Sequence, residues 1–425
     1  MKNRLAFCLA FLLCVVPGCG TPAASDSSAP PQTSASRFSS RAAVSSAAPS
    51  SASASSGREA DVSKLSLEQK VGQMFFLCFR KDASGADVLT CNGEVRKTLR
   101  SVRPGGVVLF GENIRTADQV RALLRDMRAA SGVPPFFGVD QEGGTVQRVQ
   151  KTALLPATTI PSMRSVAKTG DLSLARSVGG VIGSELTVFG FNLDFAPDCD
   201  VLTNPKNTAI GSRAFSGDPQ TAAEYSVAVA AGIRGEGIIP VCKHFPGQGG
   251  TSADTHTGYA AVSQTPGGLR KTELVPFRAQ IAAGAEMIMV GHISLPNAVG
   301  DGLPASLSPS VIRSLLRGEL GFGGVVVTDA LNMGAVANRY SSGEAAVLAV
   351  KAGADMLLMP ADPQAAYGAV LNTVKSGEIP ESRIDESVSR ILALKEKYGL
   401  FTEKQPGSES LLGCKEHLEI VSRVK

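Results

Sequence analysis

The chain has 425 residues, 43% of them hydrophobic and 19% charged, which is enough apolar material for one large core. Its formal charge of +4 falls to +2 once Lys2 and Arg4 near the start are set aside. So small a balance argues against a nucleic-acid partner and against an anionic membrane face.

Met1 to Cys19 reads as a secretory signal, with Lys2 and Arg4 as its positive start and an apolar run from Leu5 to Val16. That run is too short to cross a bilayer, which takes roughly 20 apolar residues. Val16-Pro17-Gly18-Cys19 resembles the lipobox of bacterial lipoproteins. The resemblance implies that Cys19 is lipidated and that the lipid is the protein's membrane attachment; cleavage by an ordinary signal peptidase, with free secretion, is the alternative. Residues 20–60 are rich in Ser, Ala and Pro and nearly lack large apolar side chains, so they are expected to form a disordered tether that cannot offset the entropy of ordering. The later cysteines, Cys78, Cys91, Cys199, Cys242 and Cys414, are odd in number and lack metal-ligand spacing, and Cys78 with Cys91 is the disulfide pair to test.

From Asp61 onward, short β-rich runs alternate with amphipathic stretches, the pattern of a parallel sheet covered by helices. The expected strands are Met74 to Phe79, Gly106 to Phe110, Phe136 to Val139, Phe191 to Phe195, Ile238 to Lys243, Met287 to Val290, Val325 to Thr328 and Met356 to Met359. Eight such runs predict an α/β fold built as a single (β/α)8 TIM-type barrel over residues 61–402, followed by a helical tail over 403–425. An open doubly wound sheet is disfavoured, because no glycine fingerprint opens a helix after the first strand. Among the helical stretches are Ala117 to Ala130, Leu172 to Phe189, Thr221 to Gly235 and Asp385 to Tyr398. Catalytic groups of such barrels sit at the C-terminal strand ends. Asp140, Asp198, His244, His292 and Asp329 all fall there. Ordinary loop chemistry explains one or two of them more easily than all five.

The segment from Lys243 to His256 places a Lys and a His at a strand end, then a glycine-rich loop, then Asp254 two residues before His256. An Asp bonded to one imidazole nitrogen fixes the tautomer and leaves the other nitrogen to exchange protons. A lone Asp-x-His is more often a surface turn. The loop is no phosphate cradle, because the Lys and Ser/Thr of that pattern do not follow it. In Gly323 to Met333, a buried strand ends in Asp329, which suits a carboxylate that must be ionised and held in direction, as a nucleophile requires. A helix-capping Asp is the plain alternative.

These segments resemble the Lys-His-Phe-Pro-Gly and nucleophile motifs of glycoside hydrolase family 3 β-N-acetylhexosaminidases. Gly138 to Gly144, Asn192 to Val201, Ile210 to Phe215 and Pro304 to Ser308 agree with the same family, and together the motifs run from about Leu65 to Leu400. The resemblance implies a retaining double displacement in which Asp329 attacks the anomeric carbon and His256, tuned by Asp254, is acid and then base. Most retaining glycosidases use two carboxyl groups about 5 to 5.5 Å apart, so a His in that role is a family trait. The resemblance also assigns Asp140, Arg148, Arg213, Lys243 and His244 to the sugar's hydroxyls and acetamido group. Gln248, Gly250, Thr255 and Thr145 depart from the motifs. Thr328-Asp329-Ala330, in place of the Ser-Asp-Trp of related glucosidases, and the absence of Trp favour the acetamido-sugar branch.

The expected partner is an N-acetylglucosamine-containing oligosaccharide or muropeptide, turned over by a monomer with no cofactor and no metal. Phosphorolysis is the rival within enzymes, since a His does not repel an incoming phosphate. A catalytically silent, surface-tethered sugar-binding protein is the rival from another class.

Overall fold

The computed structural model describes residues 61–152, 154–251, 254–255 and 258–424. The expected signal and tether, Cys19 and His256 lie outside the described residues.

Eight parallel strands follow the chain: β1 (Phe75–Cys78), β2 (Gly106–Val108), β3 (Phe136–Val139), β4 (Leu193–Asp194), β5 (Ile239–Phe245), β6 (Met287–Val290), β7 (Val325–Thr328) and β8 (Leu357–Leu358). They pair in sequence order from β1 to β7, and β8 pairs with β1. The bridge from Val327 to Met356 and the bond from Thr328 N–H to Met356 O bring β7 against β8 and close the barrel. All eight expected strands are present, although some ends differ. Strand β4 starts late because the side-chain oxygen of Asn192 takes the Phe137 N–H (2.8 Å). Strand β8 stops at Leu358, and Met359 has a left-handed φ of 48°. Strand β5 runs on to Phe245, so Lys243 and His244 belong to the strand itself.

Alternation along each strand sends one set of side chains inward and the other against the helices. Phe76, Phe136, Phe195, Met287, Val325 and Met356 fill the lumen at 1% exposure or less. Ile391, Leu394, Tyr398 and Leu400, from the helix Glu381–Lys397 and the turn after it, join this lumen cluster. Outside the barrel, the helices Leu172–Phe189 and Pro219–Gly235 start at Asp171 and Asp218, whose carboxylates cap Leu174 N–H and Thr221 N–H. These helices press together at Gly179 and Gly232, where an added Cβ would fall 2.2 Å from Val229 O and 2.1 Å from Arg176 O.

The five described cysteines are free, so the Cys78–Cys91 pair singled out for testing is not formed. Cys78 packs against the lumen cluster and Cys91 belongs to the layer of helices outside it, so the barrel wall separates them. The thiols that meet are Cys199 and Cys242, both fully buried.

Candidate active site

A cavity of about 520 Å³ opens at the C-terminal rim and is lined by Asp140, Arg148, Arg213, Lys243, His244 and Asp329, six residues expected there from the sequence. Glu142 also lines it, as do Phe110, Phe195, Met289, Met333 and Met359. A groove of about 490 Å³ shares Gly111, Arg148 and Gln150 with this cavity and extends past Ile114 and Thr152 to Leu154 and Leu155.

Glu142 organises the charges. Its carboxylate is 1% exposed and takes a fork of bonds from Arg213, Nε to Oε2 at 2.8 Å and Nη2 to Oε1 at 2.9 Å. Lys243 Nζ lies 2.5 Å from its Oε1 and donates to Asp140 Oδ1 at 2.8 Å. Burial opposes the charge on Glu142, but Arg213 and then Lys243 overcome it and hold its pKa well below the usual range. Arg148 Nη2 approaches Asp140 Oδ2 at 3.8 Å, with its guanidinium 5.3 Å from the centre of the Phe110 ring. Glu142 stands inside the Gly138 to Gly144 motif, and only its burial between two cations reveals what it does.

A second chain of bonds starts at β5. His244 Nδ1 meets Asp200 Oδ2 at 2.7 Å, and Arg213 Nη2 lies 3.3 Å from His244 Nε2. The neutral ring satisfies both contacts with its proton on Nδ1, accepting at Nε2. Burial works against a charge on His244, but Asp200 moves its pKa upward. Asp198 lies beside Asp200 with no exposed surface, and burial followed by Asp200 pushes its carboxyl up to about 7.

Asp198, Asp200 and His244 place donor atoms within 4.8 Å of one another, a grouping that linear spacing did not reveal, since they come from the loop after β4 and from β5. They fit a metal ion poorly. Arg213 Nε is 3.4 Å from Asp198 Oδ2 and its Nη2 faces His244, so the guanidinium already holds the positive position. A divalent ion about 4 Å from it meets repulsion on the order of 8 kcal/mol at an effective dielectric of about 20.

Asp329 ends β7. Its N–H reaches Val290 O (2.8 Å), and its Oδ1 accepts from Ala330 N–H (2.7 Å), which fixes the carboxylate's direction. Burial would raise its pKa, but the neighbouring His292 and then His244, with the Ala330 N–H, lower it, so it is ionised. His292 closes β6 with Nδ1 at 2.7 Å from Ser306 Oγ and Nε2 at 2.9 Å from Ala330 O. A carbonyl only accepts, so Nε2 carries a proton, and His292 braces the backbone just after Asp329.

Asp254 is exposed and does not line the cavity, and His256 lies outside the described residues. Two departures from the motif meet here: Gln248 Nε2 donates to Thr255 Oγ1 at 3.2 Å. Gln248 N–H also reaches Asp200 Oδ1 (2.6 Å), and Thr255 O accepts from Ala335 N–H (3.1 Å). The loop is thereby tied at Thr255 to the segment that follows Asp329.

The sequence pattern described as glycosyl hydrolase family 3 N terminal domain matches residues 66–394. Beta-hexosaminidase A of Pseudoalteromonas piscicida is 32% identical over 391 residues, covering 83% of this chain and 65% of that protein. Beta-hexosaminidase LpqI of Mycobacterium tuberculosis is 33% identical over 340 residues, 78% of this chain and 83% of that one. A solved family 3 β-N-acetylglucosaminidase from Paenibacillus sp. str. FPU-7 superposes with a TM-score of 0.80 at 37% identity, over 85% of this chain and 68% of that chain.

Proposed function

Because the chain belongs to glycosyl hydrolase family 3, we infer that it is a β-N-acetylhexosaminidase, removing terminal non-reducing N-acetyl-β-D-glucosamine from peptidoglycan fragments or chitin-like oligosaccharides. The observation that carries this reading is an ionised, direction-fixed Asp329 facing a cavity that also holds Asp140, Arg148, Arg213, Lys243 and His244. A carboxylate among neutral and cationic donors suits a sugar, since Asp140 accepts from hydroxyls while Lys243 and the arginines donate to oxygens. Asp329 attacks the anomeric carbon, its C–O bond forming as the glycosidic bond breaks. His256, aligned by Asp254, delivers a proton to the leaving oxygen. The same His then takes a proton from water as the water releases the sugar from Asp329. The relatives' names support the acetamido-sugar preference.

Release of 4-nitrophenol from its N-acetyl-β-glucosaminide, beside the β-glucoside, tests this reading in the full chain and in Asp329→Asn. Activity on the first sugar only, lost in the variant, is expected. Silence on both favours a sugar-binding protein, and sugar 1-phosphate among the products when phosphate is present establishes phosphorolysis.

Attachment through a lipid on Cys19, with the catalytic unit a monomer outside the cytoplasm, is part of the same proposal. Labelling with a clickable fatty acid, lost in Cys19→Ser, tests the anchor; no described helix is long and apolar enough to cross a membrane.

A further inference from the structure

Glu185 does not line the pocket; it lies at 5% exposure toward the C-terminal end of the helix Leu172–Phe189. It takes donors from two separate stretches of chain. From the loop after β3 come Thr158 N–H (3.0 Å to Oε2) and Thr158 Oγ1 (2.6 Å to Oε1). From the C-terminal tail come Gly413 N–H (2.9 Å) and His417 Nδ1 (3.1 Å), both to Oε1. Burial opposes the charge on Glu185, but His417 and Thr158 overcome it and keep the carboxyl ionised. Four donors converging on one buried carboxylate make a junction and not a surface contact.

The loop side of this junction leads into the pocket. Two residues beyond Thr158, Ile160 N–H reaches Gln147 Oε1 (3.0 Å), and Ile160 O accepts from Gly144 N–H (3.0 Å). Gln147 lines the cavity beside Arg148, whose guanidinium faces Asp140, and Arg148 with Gln150 forms the wall shared with the side groove. Leu155 and Ala157 are buried in the helix layer that also takes Leu412 of the tail.

The tail side is close-fitting. Gly413 has φ +59°, and a Cβ there would fall 2.0 Å from Pro156 O, so the tail lies directly on the loop's backbone. Arg121 fastens the tail upstream by donating to Gly407 O (3.0 Å) and Glu409 Oε1 (2.8 Å). Arg423 fastens it downstream at Asp171 Oδ2 (3.0 Å).

We propose that the tail around Gly413 and His417, docked on Glu185, is a positioning element for the substrate pocket: it holds the 147–158 loop so that Gln147 and Arg148 face bound sugar. The tail touches no reacting atom. It acts through the loop, and its loss weakens substrate binding while leaving the chemical step intact.

The test compares the full chain with Gly413→Ala, which drives the tail off Pro156, and with His417→Ala, which removes one donor; His417→Asn returns an N–H near the position of Nδ1. Hydrogen exchange followed by mass spectrometry reads the loop without any assumption about activity. Faster exchange across residues 144–158 is expected in the first two variants and reversal toward the parent in the third. Unchanged protection of that loop in Gly413→Ala overturns the proposal. The kinetic arm rests on the hydrolase reading. KM for the aryl N-acetylglucosaminide should rise roughly 5- to 20-fold with kcat held within about twofold. That rise should shrink in an Arg148→Ala background, because the coupling runs through that side chain. An equal fall in kcat, or full additivity with Arg148→Ala, overturns the positioning role. A parent protein without activity rejects the hydrolase reading and leaves the exchange result to decide this one.

Discussion

Replacing Glu142 by Gln removes one buried negative charge and keeps the shape of the side chain. The carboxylate holds Arg213 in a fork and Lys243 at 2.5 Å, and the three side chains are 1%, 13% and 3% exposed. Removing one partner of a buried ion pair costs about 3–5 kcal/mol, because an uncompensated charge remains out of water. Lys243 keeps Asp140 at 2.8 Å, so the lower end, about 3 kcal/mol, applies. An unfolding entropy of about 2.1 cal/mol/K per residue gives about 0.76 kcal/mol/K for roughly 360 folded residues, and Tm should fall by about 4 °C. Scanning calorimetry and urea unfolding near neutral pH measure this loss. Adding Lys243→Met to Glu142→Gln removes the surplus cation and should recover part of the stability. A single variant that melts within about 1 °C of the parent, or a double variant in which the two losses simply add, refutes the reasoning.

His256→Ala should slow hydrolysis of natural oligosaccharides by about 10² to 10⁴ and affect activated aryl glycosides less in the first step; equal losses on both speak against the acid role. Asp198 keeps its proton up to about 7 in the folded chain against an ordinary 3.8. The folded state therefore binds the extra proton between these values, and stability present below the lower one is lost as pH rises through the higher. Asp198→Asn should flatten this decline in the urea midpoint, and an unchanged slope shows that another group titrates. Treatment with EDTA should leave the rate unaltered, since Arg213 fills the positive position among Asp198, Asp200 and His244; loss restored by a divalent ion contradicts this.

The strands were legible because runs such as Val325 to Thr328 combine β-branched residues with a hydrophilic stop, and the same stops marked Asp140 and Asp329. Asn192 was not legible as a strand terminator, since only the folded chain shows its side chain taking a ladder donor. Glu142 was hidden for a different reason. A carboxylate flanked by Gln141 and two glycines reads as a solvated loop residue until two cations from distant segments bury it. The protonated Asp198 is similar: two acids two positions apart give no sign that both leave water. Gly413 and His417 carry no local pattern at all, because their meaning lies in Pro156 and Glu185, more than two hundred residues away. The altered loop residues Gln248 and Thr255 were visible separately, but their contact with each other was not.

Side chains from every strand and from the helix Glu381–Lys397 fill the lumen, with Phe76, Phe136, Phe195 and Met356 among the most enclosed. The cavity therefore has a closed floor, and among the described residues it adjoins the side groove that runs past Ile114 to Leu155. A glycan end that enters cannot pass through the barrel, so a polymer cannot thread along the barrel axis past Asp329 to present its next unit. On the hydrolase reading inferred above, processive cleavage by threading through the barrel is excluded.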